Sequence, residues 1–139
     1  MRLDAAEARE RFRRSRVLRL ATVSRAGQPH VVPCTFVIDG ADRIAIGIDN
    51  KPKSSANLRR LENIAENPRV SLIADHYADD WDRLWWARAD GIAAIERSGP
   101  DYAAHWGQLR EKYAQYAGQV LDGPVIAVQV ESWSGWAAS

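Results

Sequence analysis

Three β-branched segments joined by tight turns occupy the first half of the chain. Val17 to Ser24 (VLRLATVS) leads into Ala26-Gly27-Gln28, and His30 to Asp39 (HVVPCTFVID) leads into Gly40-Ala41-Asp42. Arg43 to Asp49 (RIAIGID) closes the series, with Ile44, Ile46 and Ile48 alternating against smaller residues. Turns this short permit only antiparallel pairing, because parallel neighbours need a crossover of about a dozen residues or more. Pro33 interrupts the second segment, which marks an edge, a bulge or a ligand-facing stretch.

Three further strands follow. Arg69 to Tyr77 is the fourth, and Leu84 to Ile95 the fifth, with a break expected at Asp90-Gly91. Pro124 to Trp133 is the sixth, with Ile126, Val128 and Val130 on one side, and Ser134 to Ser139 then read as a tail. Helices are inserted between them. Asp4 and Glu7 have capping-box spacing and open a helix to about Ser15. Ser54 to Asn67 carries Leu58, Leu61 and Ile64 on one face and stops at Asn67-Pro68. Gly99-Pro100-Asp101 opens the third, along which Tyr102, Trp106, Leu109, Tyr113 and Tyr116 form an aromatic stripe read as packing. The pattern predicts a mainly β (α+β) fold over residues 1–139: one six-stranded antiparallel barrel with appended helices, not a doubly wound sheet.

Composition removes several function classes. With 19 basic and 18 acidic residues the net charge is +1, which gives no general attraction to nucleic acid or membrane. No apolar run approaches the ~20 residues of a spanning helix. Met1 to Arg16 is charged throughout and unlike a secretory signal, so a cytoplasmic location is expected. The single Cys34 excludes an internal disulfide and a multi-cysteine metal site. Cys34 has no basic neighbour in sequence and reads as a small strand residue. His30, His76 and His105 match no zinc spacing, and no GxSxG or HExxH occurs.

Charge is nonetheless uneven. Residues 1–30 hold eight Arg against three acids, a stretch read as a solvated face. Lys51 to Arg60 hold four bases and no acid, and Asp75 to Asp90 five acids against two Arg.

Two motifs have a chemical meaning. In KPKSSAN, Lys51 and Lys53 precede a helix start with Ser54, Ser55 and Asn57, and a helix N-terminus with unpaired N–H groups and a positive dipole end suits a phosphate. The same pattern equally suits a capped surface helix with solvated lysines. In Trp85-Trp86-Ala87-Arg88, adjacent residues face opposite sides of a strand, so one indole enters the core and the other faces a cleft or interface together with Arg88. Packing rings and an Arg88–Asp pair would account for them as well. No acid–base pair or nucleophile is evident, and an enzyme without reactive groups of its own borrows them from a cofactor.

LATVSRAGQPHVVPCTFVID followed by KPKSSANLRRLENIAENPRVSLIADHY resembles the split β-barrel flavin/deazaflavin group, the pyridoxamine-phosphate-oxidase-like family. The stretch YADDWDRLWWARADG resembles its branch that uses the deazaflavin coenzyme F420. The resemblance runs from Leu18 to about Trp136. It implies a split barrel, a homodimer with the cofactor in a groove between subunits, and F420-dependent hydride transfer to a small organic acceptor. FMN is the alternative cofactor, haem on the same fold a further one, and a non-catalytic carrier the alternative function. It also implies that Lys51, Lys53, Ser54 and Asn57 hold the cofactor phosphate, that Pro33, Cys34 and Thr35 lie along the ring, and that Trp86 and Arg88 border the groove. The resemblance includes a departure: pyridoxamine phosphate oxidases end in a basic substrate-binding segment, whereas Glu131 to Trp136 contains no base.

Overall fold

A computed structural model describes residues 1–49 and 55–139, with side chains apart from those of 55–58. The order is β1 (Arg2–Leu3), α1 (Ala5–Arg14), β2 (Leu18–Val23), β3 (Pro29–Cys34), β4 (Val37–Ile38), β5 (Arg43–Gly47), α2 (Ser55–Glu66), β6 (Arg69–His76), β7 (Trp85–Glu96), α3 (Pro100–Lys112) and β8 (Val125–Ala137). The strands form one antiparallel sheet in the order β3-β2-β6-β7-β8-β5-β4, with β1 added to β8. The sheet is curled into a split barrel with three helices appended, which is the expected class.

Eight strands stand among the described residues where six were expected. One difference lies at Pro33, which sits within β3 opposite Arg19; the break comes after Cys34, and β4 then pairs with β5 on the far side of the sheet. β3 borders only β2, so it is an edge strand, where a proline without an N–H is tolerated.

The second difference is the supposed tail, which is the distal half of β8. Asp90 pairs with Ser132 but Gly91 pairs with Val130, so Glu131 is an extra residue on β8. A bulge of this kind inverts the alternation. Ile126 and Val128 face the interior before it, and Trp133, Gly135 and Ala137 share that face after it. The alternation of Ile126, Val128 and Val130 thus changes phase at the bulge, and the strand continues to Ala137. Gly91 is required there, since a Cβ would collide with the Gln129 carbonyl.

Two cores sit on opposite faces of the sheet. α1 begins at Asp4, whose carboxylate accepts the Glu7 N–H at 2.8 Å, as the capping spacing predicts. It drives Phe12, fully buried, between Phe36 and Trp133 with ring centroids 5.2 Å apart in both pairs. Leu18, Leu20, Ile44, Ile46, Leu72 and Ile126 complete that interior. α3 covers the other face with Trp106, Leu109 and Tyr113 against Val37, Ala45 and Val125. The aromatic stripe is thus packing, and Trp106 Nε1 also donates to the Gly123 carbonyl at 3.1 Å.

α3 is held by a buried polar cluster. His105 Nε2 lies 2.8 Å from Asp39 and Nδ1 2.7 Å from Glu96, while Arg43 bridges Asp39 and Asp101. Burial would raise the pKa of Asp39, but hydrogen bonds from His105, from the Arg43 and Ala41 backbone and from the Arg43 side chain hold it below 3.8. A carboxylate held low contributes stability above its unfolded pKa and loses it as pH falls through the folded value. Asp39→Asn should cost about 3 kcal/mol at neutral pH, as for one partner removed from a buried pair. Urea melts should show the wild type losing stability below about pH 3.8, with the variant losing less of it over the same interval.

Candidate functional site

The alternation of β7 fixes the site. Trp85, Ala87 and Ala89 face the interior, where Arg11 stacks over the Trp85 ring at 5.8 Å. Trp86, Arg88 and Asp90 therefore face outward. Trp86 pairs with Trp136, which pairs in turn with Arg2. Together they make a cavity of about 500 Å³ lined by Arg2, Leu3, Trp86, Arg88, Trp133, Ser134, Gly135 and Trp136.

Two outward indoles, Trp86 and Trp136, and two guanidiniums around a cavity of this size suit a flat ligand with negative charge: the rings offer stacking faces and the guanidiniums planar donors. Arg88 is held by Asp90, with nitrogen–oxygen distances of 3.1 and 3.2 Å. The expected Arg88–Asp pair therefore exists, and it leaves part of the fork toward the cavity. Sequence reasoning had Trp86 and Arg88 but not Arg2, Trp133 or Trp136, which meet them only because β8 continues past the bulge and β1 docks on it.

Pro33, Cys34 and Thr35 do not share a face. Pro33 is exposed and lies in one row with Arg19, Ile73 and Arg88. Three strand spacings separate it from Arg88, about 14 Å along the sheet. Cys34 points inward, and Arg60 of α2 donates to its sulfur at 3.2 Å. The thiol thus has a basic neighbour that its sequence surroundings lack. Burial still pushes its pKa up, against the opposing pull of Arg60. Thr35 Oγ1 is 2.6 Å from the Tyr116 hydroxyl. Of the phosphate candidates, Lys51, Lys53 and Ser54 lie outside the described residues, as does the side chain of Asn57.

Beneath α2, Asn63 donates to Thr22 at 3.0 Å, and the buried His30 Nδ1 has no hydrogen-bond partner among the described residues. Burial, then Arg59 and Arg60, lower the His30 pKa, which favours a neutral imidazole. His30 was read as a lone structural histidine; its β3 position opposite Thr22 carried no signal of the buried, unpartnered ring nitrogen. No group of His, Cys, Asp and Glu able to hold a metal occurs among the described residues. No described helix is long and apolar enough to cross a membrane.

A family model described as pyridoxamine 5'-phosphate oxidase matches residues 5–137. A curated relative from Streptomyces rimosus, named 5a,11a-dehydrotetracycline/5a,11a-dehydrooxytetracycline reductase, is 40% identical over 57 residues. The match spans 41% of this chain and 38% of that relative. Among solved structures, a FAD-binding protein from Mesorhizobium loti is 23% identical with a TM-score of 0.70, covering 97% of this chain and 95% of that one. A haem storage protein from Vibrio cholerae is 22% identical with a TM-score of 0.72 at the same coverage. A FAD-binding protein from Mycobacterium smegmatis is 18% identical with a TM-score of 0.68, covering 98% of both chains. At these identities the structural likeness is one of fold.

Cys34 should resist modification in the folded protein. With a raised pKa and 7% exposure, it should react with a disulfide reagent at pH 8 only as fast as the barrel opens, and at once in urea. Rapid labelling of the native protein would show that the thiol is accessible.

Proposed function

The chain belongs to the pyridoxamine 5'-phosphate oxidase family, and from that premise we propose that it is an F420-dependent oxidoreductase acting on a small organic acceptor. The observation that carries the proposal is the outward cavity of Trp86 and Trp136 with Arg2 and Arg88. Its aromatic walls and fixed positive charge fit a tricyclic ring bearing negative charge, and its size is that of a ligand site. FMN fits the same walls and is the second reading; a carrier that binds without turnover is the third.

When bound, the coenzyme supplies the hydride, and the protein supplies orientation and electrostatics. Trp86 and Trp136 would hold the ring plane. Arg88, steadied by Asp90, would place positive charge at the ring edge, where charge-assisted hydrogen bonds are strongest. Lys51 and Lys53, with Ser54 and Asn57, are the proposed phosphate holders, and Pro33 and Cys34 of β3 with Thr35 just after it are the proposed neighbours of the ring, through backbone groups. The Streptomyces relative, by its name a reductase of a dehydro compound, supports an unsaturated acceptor.

We also propose a homodimer. The outward face carries Val31 at 61% exposure and Trp136 at 38%, with Ala21 and Ile73 between the flanking strands. An apolar sheet face of this kind calls for a covering partner, and a second copy would bring its own aromatic cavity to the same groove.

Titration with F420 and with FMN, followed by tryptophan fluorescence, tests the proposal. F420 should quench more strongly and at lower concentration. Trp86→Ala with Arg88→Ala, and separately Lys51→Ala with Lys53→Ala, should each weaken binding at least about tenfold, a loss near 1.4 kcal/mol. Equal binding in both double variants would overturn the site, tighter FMN would select the second reading, and coenzyme binding without oxidation by any enone or quinone acceptor would select the carrier. Light scattering should give twice the monomer mass, and a monomer would overturn the shared groove.

A further inference from the structure

We propose that a second cavity, at the junction of α1, β2 and the end of β6, is an anion site for the phosphate group of a small molecule. It holds about 360 Å³ and is lined by Arg11, Arg14, Arg16 and Arg19, together with Asp75, His76 and Trp85. It shares no residue with the Trp86 cavity, so either site can fail without the other.

The arginines come from the N-terminal stretch whose excess charge read as a solvated face. The fold gathers four of its eight Arg around one hollow, against one lining carboxylate. Each guanidinium is fixed by a contact that uses only part of its five donors. Arg11 and Arg14 each engage a glutamate through Nε, at 3.0 Å to Glu7 and 3.1 Å to Glu10, which leaves both terminal nitrogens of each for a ligand. Arg19 uses Nη1 on Asp75 at 2.9 Å, and Arg16 uses Nη1 on the Lys112 carbonyl at 3.0 Å. Oriented guanidinium forks of this sort match phosphate oxygens in pairs.

The C-terminus of α1 would ordinarily repel an anion, because its last carbonyls carry the negative end of the dipole. Here three of its last four carbonyls, those of Arg11, Phe12 and Arg13, accept hydrogen bonds. Ser15 caps Arg11 through its hydroxyl and Phe12 through its N–H, and Lys112 Nζ bonds the Arg13 and Ser15 carbonyls. Those bonds, with the charge of Lys112, weaken the repulsion that an anion beside Arg11, Arg14, Arg16 and Arg19 would meet. Trp85 also lines the hollow, with the Arg11 guanidinium 5.8 Å from its ring centroid.

Calorimetry with inorganic phosphate, pyrophosphate and citrate on the intact protein, at fixed ionic strength, tests this. Pyrophosphate should bind more tightly than citrate, and Arg14→Gln with Arg19→Gln should weaken it at least about tenfold. Both side chains are substantially exposed, 73% and 46%, so the variant should keep its circular dichroism and melting temperature. Arg14→Lys with Arg19→Lys should recover part of the affinity, since charge returns without the planar fork. Pyrophosphate binding that is unchanged in the glutamine variant, or no tighter than citrate, would overturn the proposal; the first outcome places the anion elsewhere and the second shows diffuse charge.

Discussion

The β7–β8 ladder is the constraint on which the molecule depends. It runs from Trp85 opposite Ala137 to Glu96 opposite Val125, and every other part of the sheet is attached to it. β6 and through it β2 and β3 extend from one side, and β5 with β4 and the short β1 from the other. A single extra residue, Glu131, sets the phase of β8. Because side chains alternate with period two, deleting that extra residue would send Trp133 out of the Phe12 contact and Trp136 into the interior.

The two cores follow from this ladder. α1 and α2 close the inside of the curl, and α3 covers only part of the outside. The remaining outer surface, with Trp86, Trp136, Ile73 and Val31, is left without a helix. The same uncovered surface contains the aromatic cavity, so an incomplete coat of helices and a candidate ligand site are one structural fact. The Asp39–His105–Glu96 cluster keeps α3 in its place and so keeps it off that surface. Gly47 contributes as well, because a Cβ there would collide with the Trp106 ring.

Much of this was legible along the chain. The turns at Gly27 and at Gly40 to Asp42, the Asp4 cap and the Asn67-Pro68 stop each act within a few residues, and local chemistry decides them; the break expected in the strand at Asp90-Gly91 is absent, since β7 runs unbroken there and the irregularity is the extra residue on β8. That Trp86 and Arg88 share a face was also readable, since strand alternation needs no tertiary information. Cys34 was not. Its meaningful neighbour, Arg60, is 26 residues away and arrives only when α2 packs against β3. Arg2, Trp133 and Trp136 were missed for the same reason, and the arginine hollow was invisible because a charge count carries no direction.

The amino-acid order by itself determined the antiparallel class, the placement of the helices and the face that Trp86 and Arg88 share. These rest on turn length, capping and alternation, all short-range. Only the tertiary structure decided that the final segment continues as a strand, that Pro33, Cys34 and Thr35 face three different surroundings, and that the first helix's arginines converge on a cavity. Each of those depends on the register between strands far apart in the chain, which is set by burial across the whole sheet and not by any one segment.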